Sequence, residues 1–381
     1  MNSQHGVILI IVLWFIVIVS VLVGTLASET RLSAKAVFHN KMGLQTWSDT
    51  LTALRLAEME LFILKMPLHP DHEDMQKPLS ERINRAYRFN GQVVDLAYPA
   101  PKTVKVRIYD HAGRINLRRI SQHNLRELLK KIGGFGETEE DAQKLNELMD
   151  AWEDWKDSDD MKRANGAEKE EYKELEQPYK PRNGEIETLE EVLLIKGFDE
   201  IFKNISLNTA FTVYGTQTSI NPNVATREAL AMIPGLNSNV INAILSQRRE
   251  KELKTYNDIM ELVDNNQEDL KEFSKARSWL SFNTGNYYTI AIQQNTQQDV
   301  VAEDETSENT NEIPQENPTT KQETFQVKNE RAFMVTVQFE QGNDKLPKVL
   351  RVDPYGVLPD TRHSDVVPSD EEGETKRLFE G

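Results

Sequence analysis

The first strong feature of the chain is an uncharged, apolar run at residues 7–26. A helix of this length spans roughly 30 Å, which matches the hydrocarbon core of a bilayer. The run therefore predicts a transmembrane helix. A cleaved secretory signal is the alternative, because residues 25–27 resemble a small-residue cleavage site. The apolar region of such a signal is usually only about 7–15 residues long and follows a basic segment.

Apolar residues continue beyond the run at intervals of three, four or seven positions, which is typical of one face of a helix. They are Val37, Leu44, Trp47, Leu51, Leu54 and Leu61. Prolines at positions 67 and 70 are expected to end the helix, because proline cannot continue it. The pattern predicts a single helix from about residue 7 to 66, roughly 90 Å long, whose second part is an amphipathic stem.

Alternation of apolar and polar residues predicts strands in two separate parts of the chain. The predicted strands are residues 92–99, 102–110, 287–292, 333–339 and 349–352. Between the two parts, from about residue 115 to 279, the pattern is almost wholly helical, with turns at glycines. The predicted fold class is α+β: an N-terminal transmembrane and stem helix packed on an antiparallel sheet, with a large all-helical domain inserted in the sheet.

The predicted domain boundaries follow from these patterns and from two polar segments. Residues 293–323 contain hardly any apolar side chains and are expected to form a disordered insertion, because they cannot repay the entropy of folding. The predicted segments are a leader at 1–6, a transmembrane helix at 7–26, a stem at 27–66, the first part of the sheet domain at 67–113, the helical domain at 114–282, the second part of the sheet domain at 283–358 and a polar tail at 359–381.

Composition excludes several classes of function. The chain has 381 residues, a formal net charge of −16 and no cysteine. The negative charge argues against nucleic acid as a partner, because phosphate binding rests on Lys and Arg. Without cysteine there is no disulfide framework, zinc knuckle or thiol nucleophile. The seven histidines are scattered and no catalytic motif accompanies them, so we expect no enzymatic activity.

Carboxylates are densest in the string DWKDSDD at residues 154–160, which is followed by RANGAE at 163–168. Calcium takes about 6–8 oxygen ligands, and acidic and amide side chains of this loop together with backbone carbonyls could supply them. The register is not that of an EF-hand, because Lys162 stands at the position of the loop glycine. By spacing alone, a solvated acidic face is favoured over a metal site.

The N-terminus resembles those of pilins and pseudopilins: a short polar leader ends in Gly6 and precedes an apolar helix that becomes amphipathic. The resemblance implies that a prepilin peptidase cuts after Gly6 and leaves Val7 as the new N-terminus. Most members of the family carry glutamate at the fifth mature position, where this chain has Ile11. Absence of this glutamate marks the K-type minor pseudopilin of type II secretion. Unlike most leaders of the family, MNSQHG contains no Lys or Arg.

Further strings similar to the K-type family occur in order between about residues 104 and 236. Besides those of the acidic loop, they are QPYKPRNGEIETLEEVLLIKG, TVYG and SINPN. The resemblance implies a pilin-like sheet and a helical domain that binds calcium. Carried over to matching positions, the calcium ligands would come from Asp154, Asp157, Asp159, Asp160, Asn165 and Glu168.

The function that the resemblance implies is assembly at the tip of the type II secretion pseudopilus, in support of its initiation and of the export of folded proteins across the outer membrane. The implied partners are the I-type and J-type minor pseudopilins, the prepilin peptidase, the inner-membrane assembly platform and inner-membrane lipid. The chain would cross the inner membrane once, with its C-terminal domain in the periplasm. An alternative is a membrane-anchored, competence-type DNA-binding protein, because residues 233–244 resemble a helix-hairpin-helix motif.

Overall fold

The computed structural model describes residues 5–65, 85–263, 267–295, 330–339 and 346–359. The chain divides into two compact units, Met1–Thr52 and Ala53–Gly381. Three segments named above lie wholly or largely outside the described residues: the leader up to residue 4, the insertion from residue 296 onward and the tail from residue 360. The prolines at positions 67 and 70 lie outside them too.

Helix α1, His5–Lys65, contributes to both units. In the first unit its apolar residues are exposed, including Ile11, Trp14 and Leu22 at 62% each. By length and composition, one helix in the described part of the chain is able to cross a membrane, with a mean hydropathy of 2.9. In the second unit, Ala53, Ala57 and Leu61 of the same helix are fully buried against the sheet.

The sheet has the order β1–β2–β5–β6–β7, and every neighbouring pair is antiparallel. Its strands are β1, Asn90–Val93; β2, Val104–Asp110; β5, Tyr287–Gln294; β6, Arg331–Gln338; and β7, Lys348–Val357. Alternate residues of β5 and β6 point toward α1, because side chains of a strand alternate between the two faces. Tyr288, Ile290 and Ile292 of β5 thereby join the core that Leu61 completes.

Strands β2 and β5 are neighbours although the helical region separates them in sequence. Asp110, the last residue of β2, pairs with Tyr288, the second residue of β5. The Asp110 carboxylate also accepts a hydrogen bond from the N–H of Gly285 at 3.0 Å. The helical region therefore leaves the sheet and returns to it at adjacent positions. The predicted α+β fold class is confirmed, although the inserted region is mostly rather than wholly helical, because it contains one pair of two-residue strands.

The prediction of a strand at residues 92–99 was partly wrong. Strand β1 begins at Asn90 and ends at Val93, and its register with β2 shifts within this short length. Beyond β1, the N–H of Ala97 donates to the carboxylate of Glu60 on α1 at 2.7 Å. The N–H of Ala97 is therefore bound by the Glu60 side chain and not by a neighbouring strand. At the other end of the sheet, β5 extends through Gln294, two residues into the predicted disordered insertion.

The inserted region consists mainly of helices, joined by turns and by longer loops such as residues 157–168 and 174–197. They are α2, Gln122–Gly133; α3, Glu139–Lys156; α4, Lys169–Lys173; α5, Phe198–Phe202; α6, Leu207–Ala210; α7, Arg227–Met232; α8, Ser238–Glu250; α9, Tyr256–Met260; and α10, Gln267–Ser274. Two-residue strands β3, Ile115–Asn116, and β4, Phe211–Thr212, pair in parallel. Side-chain caps begin several of the helices: Ser121 caps α2 and Thr138 caps α3 by accepting backbone N–H bonds.

Aromatic side chains fill the core of the helical region. Trp152 is 1% exposed and stacks on Phe198, with ring centroids 5.5 Å apart. Trp155 is 2% exposed and meets Tyr172 edge to face at 5.4 Å. Burial of such large rings contributes strongly to stability. The two tryptophans beside the acidic loop are therefore core residues.

His111 lies where the helical region joins the sheet. It follows β2 directly and is 3% exposed. Its Nδ1 lies 2.7 Å from the hydroxyl of Thr212 on β4, and its Nε2 lies 2.7 Å from the hydroxyl of Thr289 on β5. Thr289 in turn contacts the hydroxyl of Thr336 on β6 at 3.0 Å. The imidazole of His111 thus links β4 of the insertion directly to β5 of the main sheet and, through Thr289, to β6.

Candidate functional site

The acidic loop connects the end of α3 to the start of α4. Asp154 lies in the last turn of α3, and Asp157 is the residue that ends this helix. Glu168 precedes the first residue of α4. The loop therefore returns on itself between the two helix ends, and this path brings carboxylates from both ends together.

Asp154 is the most deeply buried of these carboxylates, with no exposed surface. It accepts the backbone N–H of Arg163, at 3.3 Å to Oδ1 and 3.2 Å to Oδ2. Gly166 makes room for it, because a Cβ atom at that position would lie 1.9 Å from Asp154 Oδ2. The glycine in the string RANGAE is thus required by the close approach of a buried carboxylate.

The guanidinium of Arg163 bridges two of the predicted ligands. Its Nη1 lies 2.7 Å from Asp154 Oδ1 and 2.5 Å from Asp157 Oδ2. Hydrogen bonds to Asp157 and then to Asp154 raise the pKa of Arg163 further above its ordinary value. These two carboxylates are therefore paired with an internal cation, which the sequence analysis did not anticipate.

Two buried oxygens around the loop have no hydrogen-bond partner within the described residues. They are Oδ1 of Asp157 and Oδ1 of Asn183; the Glu168 carboxylate faces backbone N–H groups at the start of α4 but pairs with no cation among the described residues. Glu168 is only 4% exposed. Burial, assisted by the negative charges of the neighbouring aspartates, raises the pKa of the Glu168 carboxyl to about 7. A buried acceptor without a donor costs free energy, and Arg163 offsets this cost for Asp154 and Asp157 but makes no ion pair with Glu168.

The remaining predicted ligands have partners of their own. Asp159 Oδ1 accepts the N–H of Met161 at 2.9 Å, and Asp160 Oδ1 accepts the amide of Asn183 at 2.9 Å. Asn165 donates its backbone N–H and its side-chain amide to one oxygen of Asp150, at 3.1 and 3.2 Å. The structure thus turns Asn165 toward Asp150, which the sequence analysis did not include in the site.

Asn183 was also missed, although a local signal was present. It precedes a glycine, and its backbone adopts a φ of 49°, a left-handed conformation that asparagine tolerates better than most residues. Its amide holds both the carboxylate of Asp160 and the backbone carbonyl of Asp159. This residue brings the segment after α4 onto the acidic loop and adds a neutral oxygen to the cluster.

The donor chemistry of the loop suits a hard cation, but the side chains do not form a complete site. In the part of the chain that the structure describes, no three His, Cys, Asp or Glu side chains are arranged to hold a metal ion. The buried oxygens of Asp157, Glu168 and Asn183 are ligands of the kind that calcium prefers, so these residues fit calcium chemically. The guanidinium of Arg163, however, lies between Asp154 and Asp157.

Beside the loop lies an open groove of about 690 Å³, bounded by Trp155, Tyr179 and charged side chains. The arginines and glutamates that line it are paired with one another: Arg118 Nη2 contacts Glu185 at 2.5 Å, and Arg182 contacts Glu191 at 3.1 Å. The groove consequently presents matched charges and favours neither an anionic nor a cationic ligand.

The processing residues Gly6 and Val7 lie within helix α1, near its first described residue. The rest of the predicted leader precedes the described residues. The structure therefore extends the apolar helix up to the predicted cleavage point.

The hairpin that suggested DNA binding is packed inside the helical region. Gly235 has a φ of 84°, and a Cβ atom there would lie 2.2 Å from the carbonyl oxygen of Glu272. Arg248, near the end of the hairpin's second helix, is turned inward and donates to the carbonyl oxygens of Pro222 and Ala225 at 3.0 and 2.6 Å. This arginine therefore does not face outward as phosphate binding requires, whereas Asn237, Ser238 and Asn239 at the start of the second helix are exposed.

Part of the helical region is similar to a known protein family. Residues 113–204, which contain the acidic loop, match the family model described as type II secretion system (T2SS), protein K. The predicted resemblance to the K-type minor pseudopilins is thereby confirmed, with this segment as its basis. No protein in a search of the curated proteins matched the chain.

One similar solved structure is described as the crystal structure of the GspK-GspI-GspJ complex from the enterotoxigenic Escherichia coli type 2 secretion system. The similarity has 16% sequence identity and a TM-score of 0.46. It covers 83% of this chain and 99% of the other.

Proposed function

We propose that the chain acts as the K-type minor pseudopilin at the tip of a type II secretion pseudopilus, where it supports initiation of the filament and export of folded proteins. The observation that carries this proposal is the match of residues 113–204 to the protein K family. The position of this segment, inserted in an antiparallel sheet behind an apolar N-terminal helix, supports it further.

The proposed location is the inner membrane, crossed once by the apolar part of α1, with the second unit in the periplasm. Lipid surrounds the exposed apolar residues of α1, and the prepilin peptidase removes the leader after Gly6. The assembly platform then receives the mature chain, whose first residue is Val7. The I-type and J-type minor pseudopilins are the proposed neighbours at the tip, as the resemblance implies.

Ile11 supports a position at the end of the filament. A buried carboxylate in lipid is costly unless it pairs, and in the family the glutamate at this position pairs with the N-terminus of a neighbouring stem. Ile11 avoids this cost and needs no neighbour in that direction. A subunit with this residue can therefore start a filament.

Filament counts in cells test the tip assignment. Cells carrying Ile11→Glu should form fewer pseudopili, because the unpaired carboxylate opposes insertion or initiation, whereas Ile11→Leu should behave as the parent does. Deletion of the gene should reduce filament number. Unchanged number and length of pseudopili after the deletion would refute a role in initiation.

Mass spectrometry of the mature chain tests processing. Replacement of Gly6 by leucine should leave the precursor uncut, because the peptidase must accommodate backbone without a side chain at the cut. Gly24→Leu is the matched control, since it adds the same side chain farther along α1, where a Cβ atom meets nothing within 4 Å. A mature N-terminus at Ser28 would instead indicate an ordinary signal peptide.

We also propose that the acidic loop binds calcium. Asp157 and Glu168 supply charged oxygens, Asn183 supplies a neutral one, and Asp154 and Asp160 lie close enough to contribute negative charge. Bound calcium would provide the positive charge that the buried Glu168 carboxylate lacks. The buried, unpartnered Oδ1 atoms of Asp157 and Asn183, together with the buried Glu168 carboxylate, support the proposal.

Thermal unfolding with and without a chelator tests calcium binding. A ligand that binds only the folded state stabilises it by about 2.7 kcal/mol at a hundredfold excess over Kd. Chelation should therefore lower the Tm, and Glu168→Gln should remove most of the difference. Glu170→Gln is the control, because Glu170 carries the same charge at an exposed position of α4. Equal Tm values of the parent chain under both conditions would leave the acidic loop a solvated surface.

A further inference from the structure

Arg163 has an unusual place in the acidic loop. Its guanidinium contacts the fully buried Asp154 and the partly buried Asp157, yet its own side chain remains 39% exposed. The Asp154 carboxylate is thus fixed inside the fold, whereas the Arg163 side chain reaches the solvent. The backbone N–H of Arg163 also holds Asp154, so the residue anchors the loop twice.

The single positive charge does not balance the carboxylates around it. Arg163 holds Asp154 Oδ1 and Asp157 Oδ2, whereas Asp157 Oδ1 has no partner and the Glu168 carboxylate pairs with no cation among the described residues. A divalent cation bound at Asp157 Oδ1 would lie beside the guanidinium, and the two positive charges would repel each other. Arg163 and a divalent cation therefore compete for the Asp157 carboxylate.

We propose that Arg163 is an internal counter-cation, which holds the acidic loop closed when no divalent cation is bound and must release Asp157 when one binds. This inference rests on the proposed calcium site. The backbone bond from Arg163 to Asp154 does not involve the guanidinium, so the loop retains one anchor after the side chain moves away. The guanidinium thus lowers the affinity of the loop for a divalent cation.

Calcium titration of the full-length chain in detergent tests this role. Arg163→Gln keeps hydrogen-bond donors but removes the charge, and it should tighten calcium binding about tenfold, or about 1.4 kcal/mol. In chelator, the same variant should unfold at a lower temperature than the parent chain, and saturating calcium should remove most of this deficit. Arg182→Gln is the control, because Arg182 pairs with Glu187 and Glu191 beside the loop. It should leave calcium affinity unchanged.

Each outcome decides the inference. Calcium binding by Arg163→Gln but not by the parent chain would support it while refuting the proposed native calcium site. Unchanged or weaker affinity in Arg163→Gln, or no binding by either chain, would overturn it. If the variant folds only when calcium is added, the rescue supports the inference, whereas failure to fold in both conditions contradicts it. Arg163→Lys, which retains the charge, should bind calcium nearly as the parent does.

Discussion

His111 should make the stability of the second unit depend on pH in a defined direction. Burial lowers the pKa of its imidazole well below the ordinary value of 6.5, and the charge of Arg114 contributes to the lowering. Below about pH 6.5 the imidazole of His111 therefore takes up a proton in the unfolded chain but stays neutral in the folded protein. The contribution of His111 to stability is present above that pH and is lost as the pH falls toward the folded-state pKa.

The magnitude follows from proton linkage. Each pKa unit corresponds to more than 1 kcal/mol, so between pH 7.5 and 5.5 this one histidine should lower the free energy of unfolding by an amount on the order of 1 kcal/mol. For a unit of the size of Ala53–Gly381, such a change lowers the Tm by about 1–2 °C.

The assay is the difference in thermal unfolding between the parent chain and His111→Gln, measured from pH 7.5 to 5.5 in chelator. A difference is needed because Glu168 acts in the opposite sense: its raised pKa, about 7, gives stability that is present below about pH 4.5 and is lost as the pH rises through 7. Glutamine can still donate and accept hydrogen bonds but does not titrate. His123→Gln is the control, because His123 lies exposed on α2.

The parent chain should lose on the order of 1 kcal/mol more than His111→Gln over this pH range, and His123→Gln should follow the parent. Equal pH dependence of the parent chain and His111→Gln would refute the reasoning, since it would mean that folding does not change the protonation of His111.

Two further predictions concern backbone space and a buried acceptor. Gly166→Ala should lower the free energy of unfolding by about 1–3 kcal/mol, because its Cβ atom would collide with Asp154. Gly184→Ala is the control, since its Cβ atom meets nothing closer than 4.0 Å. Equal denaturant midpoints of the two variants would contradict the prediction. Glu60→Ala should lower the free energy of unfolding by about 1.5–3 kcal/mol, because it removes the acceptor of the Ala97 N–H. Glu60→Gln keeps an acceptor and should cost less. Urea unfolding measures both variants, and no loss of stability in Glu60→Ala would refute the assigned role.

Local pattern was sufficient to predict much of the fold. Alternation located the strands that became β2, β5, β6 and β7, since a half-buried strand must alternate apolar and polar residues. It did not reveal β3 and β4, because two residues are too few to show a period. It also misplaced the end of β1, where Glu60 of the stem helix takes a backbone N–H that the pattern assigned to a strand.

For the acidic loop, density of charge identified the carboxylates but not their partners. Arg163 belongs to the loop sequence, yet its pairing with Asp154 and Asp157 depends on how the chain turns after α3. Asn183 comes from a later segment, and only the folded path carries it to Asp160. Partners that are distant in sequence leave no periodic trace, so sequence reasoning was unable to predict them.

The adjacency of Asp110 and Tyr288 makes the whole helical region, in topological terms, the loop of a β-hairpin. The entropic cost of closing a loop rises by only about 0.6 kcal/mol for each doubling of its length, and a folded insert with adjacent ends costs still less. A sheet of this kind can therefore gain or lose an entire domain at this turn without changing its strand order. Joining β2 to β5 by a short turn should give a minimal protein in which the sheet and the stem helix are retained and the acidic loop is absent.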